Sequence, residues 1–76
     1  MSTVGTMHGG VIHVPLNDDS PSESERGKQE LLDFLRAEGK DAADYRFHLR
    51  KAWDPVLDQF FQIMCAYPKE HPLADA

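Results

Sequence analysis

The apolar run from Val56 to Tyr67, entered through Trp53-Asp54-Pro55, constrains this 76-residue chain more than any other stretch. The Asp54 carboxylate is suited to accept hydrogen bonds from the N–H groups of a first helical turn, and Pro55 at the first helical position has no N–H to leave orphaned. Val56, Leu57, Phe60, Phe61 and Met64 recur at i, i+1, i+4, i+5 and i+8, one broad apolar stripe. The spacing predicts a helix, and the core is expected to be built on it.

A chain this short buries only about 60% of its unfolded surface, so one thin core and a few kcal/mol of stability are expected. Cys65 is the single cysteine, which excludes an intrachain disulfide. Lying inside the apolar run, it reads as a small hydrophobe rather than a reactive or metal-bound sulfur. One half-buried thiol without a secretion signal fits a reducing cytoplasm, the expected location. No stretch reaches the roughly 20 apolar residues of a membrane span, so no membrane contact is expected.

The chain divides into a flexible N-terminal segment, residues 1–10, a single small domain, residues 11–68, and a C-terminal tail, residues 69–76. Val11 to Leu16 reads as a short strand, at a sheet edge or ending at Pro15, because proline donates no ladder hydrogen bond. Ser20, Ser22 and Ser24 are alternative caps for a helix from about Ser22 to Ala37. That helix carries glutamates at its start, Leu31, Leu32, Phe34 and Leu35 on its apolar face, and Gly39 just past its end.

Tyr45, Phe47 and Leu49 alternate with Arg46, His48 and Arg50, a strand pattern with one apolar and one basic face. The rival is a helix capped at Asp41-Ala42-Ala43-Asp44 and continued through Tyr45, Leu49 and Val56. Asp54, pushed out of helical conformation by the following proline, favours the strand. The fold class expected is α+β, a small single domain of order strand-helix-strand-helix. If the two strands were parallel neighbours, the crossover would be right-handed, and a two-stranded sheet would invite edge-to-edge dimers. The alternative is all-α, three short helices with an N-terminal arm.

Catalytic chemistry finds little support. His8, His13, His48 and His71 lack the close paired spacing of zinc ligands, although pairing of the two strands would bring His13 towards His48. Gly9-Gly10 lacks the lysine, hydroxyl residue and helix of a phosphate loop. No base stands near Cys65 in sequence, and a chain this small has little volume for a walled pocket. No enzyme activity, catalytic residue, metal or other cofactor is expected.

Binding is the better supported class. Thirteen acidic against eight basic residues leave a net charge of −5, which argues against direct nucleic-acid binding. Residues 18–44 hold nine acidic and four basic residues, the whole net charge of the chain. Glu23, Glu25, Glu30 and Asp33 would present a row of carboxylates to a basic groove, although a plain solvated helix face explains them too. Phe60 and Phe61, about 100° apart on a helix, widen the apolar stripe beyond what one small layer covers, and Trp53 is a residue type frequent at interfaces. Arg46, His48, Arg50 and Lys51 form a small basic patch suited to an anion or an acidic helix.

The expectation is therefore a small acidic regulator with a protein partner, and homo-oligomer formation as a further outcome. It would modulate or inhibit a larger macromolecule, in the manner of a phage or bacterial anti-defence (anti-CRISPR-like) inhibitor working by steric block or nucleic-acid charge mimicry. The alternative is an accessory subunit bound through an aromatic helix. Across both readings the candidate partner-binding residues of the chain are Glu23, Glu25, Glu30, Asp33, Trp53, Phe60 and Phe61.

Overall fold

The computed structural model describes residues 4–75. Strands β1 (Gly5–Met7) and β2 (Val11–Pro15) precede helix α1 (Pro21–Ala37), and a single 3-10 turn, Ala42–Asp44, leads into β3 (Tyr45–Asp54) and β4 (Gln59–Pro68). The strands form one antiparallel sheet in the order β1-β2-β4-β3. With one helix laid against one sheet, the chain is a small compact α+β domain.

The largest departure from expectation is the stretch after Trp53. It is not a helix: β3 continues through Asp54, the chain turns over residues 55–58, and β4 returns as its neighbour. Both local signals had another use. The Asp54 carboxylate does accept from the N–H groups of Val56 and Leu57, at 2.9 and 3.2 Å, but this closes a hairpin turn, with Asp58 left-handed at φ 54°. The apolar run is continuous because β4 is covered on both faces. Met64 and Ala66 pack under α1, while Ile63, Cys65 and Tyr67 face the other way. A strand buried on both sides loses its alternation and imitates a helical stripe.

The other elements follow the local chemistry. Ser20 caps α1, its hydroxyl accepting from Glu23 N–H at 3.3 Å with Pro21 at the first helical position. The helix ends in a Schellman arrangement: Gly39, at φ 72°, donates to Arg36 and Lys40 to Leu35. The alternation from Tyr45 to Arg50 is strand, and the capped turn at Asp41 survives only as the 3-10 turn before it, Ala43 N–H donating to the Asp41 carboxylate.

Strand β2 is interior to the sheet and ends at Pro15. It is not β3's neighbour, since β4 lies between them. The sheet is four-stranded because β1 joins as well: Gly5–Met7, expected within a flexible segment, pair with Val11–His13 through the turn of Gly9 and Gly10, both at positive φ. Residues 1–3, which shared that expectation, lie outside the described residues, as does residue 76 of the tail.

Two apolar layers result. One, between sheet and helix, holds Ile12, Val14, Leu16, Leu31, Leu35 and Met64. The second lies on the helix-free face, where the C-terminal segment folds back and buries Ala74 against Val11, Ile63, Cys65 and Tyr67. Among the described residues no helix is long and apolar enough to cross a membrane.

Candidate functional site

Pairing between β2 and β4 stops at Pro15 and Ile63, with one further bond from Leu16 N–H to the Gln62 carbonyl. Beyond that level, β3 and β4 pair only with each other, from Lys51 and Gln62 to Asp54 and Gln59. This distal arm carries unusual apolar exposure. Trp53 is 49% exposed, Phe60 64%, Leu57 63% and Val56 89%, and Leu49, just below the arm opposite Met64, is 49% exposed. Trp53 and Phe60 are direct cross-strand partners, their rings edge to face with centroids 5.0 Å apart. By the alternation of the strands they share the face that α1 covers further along, but among the described residues nothing covers them here.

Phe61 points to the opposite face. With Met7, His13, Pro15, Ala52 and Ile63 it lines a half-open groove of about 420 Å³ without an acid, lysine or arginine in its walls. Trp53 and Phe60 are thus brought together, while Phe61 belongs to a separate apolar surface. Val56 and Leu57 were missed as contact residues because a helix would have buried them, and Leu49 because the apolar face of its strand was expected to be covered. The twelve residues between Pro55 and Pro68 are of helix length, so the spacing of the turn residues carried no signal for a strand.

The acidic candidates do not form a free row. Glu23 is drawn inward, its side chain 13% exposed, accepting from Asn17 N–H at 2.7 Å and from Arg26. Those bonds hold its carboxyl below the usual range, the Arg26 hydrogen bond contributing most. Arg26 also binds Glu30 and donates to the Pro15 carbonyl at 3.0 Å, tying the helix to the end of β2. Glu25 and Asp33 remain exposed, and Asp33 accepts from Gln29 at 3.1 Å with Arg36 3.8 Å away. Positive charge interrupts the helix surface, and the solvated-face explanation fits its geometry.

The sheet places His13 and His48 on either side of Cys65 in one cross-strand row. His48 donates through Nε2 to the Ala74 carbonyl at 2.6 Å, fastening the C-terminal segment over the row. Among the described residues no group of three or more His, Cys, Asp or Glu is arranged to hold a metal. Cys65 is 1% exposed, and burial pushes its thiol pKa up, only partly offset by Tyr67 and Arg50. A raised folded pKa means stability present below the unfolded thiol pKa, near 8.5, and declining as pH rises above it. Iodoacetamide at pH 8 is expected to label the native thiol at least about 100-fold more slowly than the urea-unfolded one, since access requires opening of the core. Comparable rates would contradict its burial.

No protein-family model, curated protein or solved structure matches this chain.

Proposed function

We propose that the chain is a non-catalytic binding module that attaches to a larger protein, and modulates it, through the distal β3–β4 arm. The carrying observation is the exposure of Trp53, Val56, Leu57 and Phe60 at one end of a small domain. Contiguous apolar surface of this kind is unfavourable in water unless something covers it, and an aromatic pair is the kind of anchor that dominates interfaces. The arm takes over the role first assigned to an aromatic helix. Charge mimicry has weaker support, because Arg26 occupies Glu23 and Glu30.

Capture from lysate of the organism that encodes the chain, at about 0.1 M and about 1 M salt, separates the two modes, since screening weakens charge-driven contacts and spares apolar ones. Retention of a specific protein at high salt is expected. Loss at high salt would move the weight from the apolar arm to charged contacts, at the acidic residues or at Arg46, Arg50 and Lys51 of β3. Self-association is a second reading, favoured by the uncharged groove at Phe61, which two copies of an acidic chain can bring together without like-charge repulsion. A monomeric mass at high concentration in solution would remove it.

A further inference from the structure

The phase of the sheet's hydrogen bonds fixes what β3 leaves open. At the base of the hairpin, Lys69 N–H donates to the Asp44 carbonyl at 3.0 Å. In the register that follows, bonds between the strands fall on every second pair, so Arg46, His48, Arg50, Ala52 and Asp54 exchange them with β4. The bond from Leu16 to Gln62 puts β2's pairing on the alternate residues of β4, the phase an interior strand needs. Phe47, Leu49, Lys51 and Trp53 therefore aim their N–H and C=O groups away from β4, and β3 is the outermost strand on that side. The Tyr45 N–H is already used, donating to Ala42.

The two faces along this edge differ in chemistry. Phe47, Leu49 and Trp53 lie on the helix side, two of them half exposed, with the Lys28 ammonium 5.6 Å from the Phe47 ring centre. Arg46, His48 and Arg50 lie on the other. Among the described residues Lys28, Arg50 and Lys51 make no ion pair, and Arg46 has Asp75 at 3.7 Å. In a chain of net charge −5, this edge is locally basic.

We infer that the β3 edge receives an extended segment of the partner, alternating acidic and apolar residues, as a fifth strand. Its main chain pairs with Phe47, Leu49, Lys51 and Trp53, its apolar side chains lie beside Leu49 and Trp53, and its carboxylates lie beside Arg46 and Arg50. A second copy of β3 is the rival occupant, because one antiparallel register sets Arg50 against the copy's Asp54, and a dimeric mass for the free chain would overturn the acidic-segment reading. The inference rests on the protein-binding reading and names the partner's chemistry.

The test uses the full chain, isotope-labelled for amide NMR, and a capped peptide of alternating glutamate and valine roughly eight residues long, which spans the open edge. Controls are the lysine-valine peptide and a fully N-methylated glutamate-valine peptide, which cannot pair as a strand. The expected result is saturable binding below about 1 mM, with the largest amide shifts at Phe47, Leu49, Lys51 and Trp53. Both controls should bind at least about tenfold more weakly. No binding at that concentration, equal binding by either control, or shifts confined to Val56, Leu57 or the Phe61 groove would overturn strand addition. If lysate capture at high salt persists in that case, only this inference falls. If capture is absent as well, the protein-binding reading falls with it.

Discussion

Leu31→Ala is expected to cost about 2–5 kcal/mol, the usual range for truncating a fully buried leucine. Leu31 is 0% exposed and sits mid-helix in the layer formed with Ile12, Val14, Leu16, Met64 and Ala66. Its side chain is one of few that join α1 to the sheet, and β-strands beneath it cannot collapse far into the space left behind. A domain this small rarely has more than about 3–5 kcal/mol in total, so the variant should be largely unfolded at 37 °C. Urea titration followed by circular dichroism measures the change. A loss under about 1 kcal/mol would mean that α1 does not dock as described.

Gly27→Val is expected to cost about 1–3 kcal/mol by overpacking, despite replacing a glycine inside a helix. A Cβ at Gly27 would stand 2.5 Å from Leu16 Cδ2 and 3.3 Å from both Met64 Cβ and Val14 Cγ1. Leu16 Cδ2 is the end of a flexible side chain and can swing aside, so Gly27→Ala should be close to neutral. Met64 Cβ is fixed to the backbone of β4, and the branched methyls of valine have no comparable escape. The same urea titration compares the two variants with the parent. A valine variant as stable as the alanine variant would show that α1 has room to rise from the sheet, contrary to the close approach at Gly27.

Much of the fold was legible where one residue type had one local use. Ser20-Pro21 and Gly39 bracket α1, and the alternation of Tyr45 to Arg50 has no good helical equivalent, since Phe47 would leave the apolar face. The second half of the hairpin was not legible by periodicity. Phe60 to Tyr67 is apolar on both faces of β4, so every period fits it, and Asp54-Pro55 caps a helix or closes a turn by the same carboxylate-to-amide bonds. The C-terminal segment was missed for another reason. Among the described residues its docking rests on Ala74, the hydrogen bond from His48, the Tyr67–His71 ring contact and the Arg46–Asp75 ion pair, none of which has a sequence pattern.

The candidate contact residues divide along the same line. Trp53 is named for its residue type, which keeps its meaning on a helix or on a hairpin, whereas Phe60 is named for widening a helical stripe and is exposed for another reason, as the cross-strand partner of Trp53 beyond the end of β2. The acidic residues were named for their charge alone, and charge alone does not reveal that Arg26 will occupy Glu23 and Glu30. The groove at Phe61 depends on β1 and β2 being adjacent, with Met7 contributing from a segment that reads as a loose N-terminus and His13 and Pro15 from the strand that follows it.

In the proposed function the distal arm is the surface by which the chain holds a partner. The most direct test is lysate capture by the double variant Trp53→Ala and Phe60→Ala, beside the parent protein, with circular dichroism and urea titration on both. Because the pair is half exposed, the variant should stay folded, losing no more than about 1–2 kcal/mol of stability, while capture of the specific protein falls at least tenfold, the loss of about 1.4 kcal/mol or more expected of interface anchors. Undiminished capture by a folded double variant would contradict the claim.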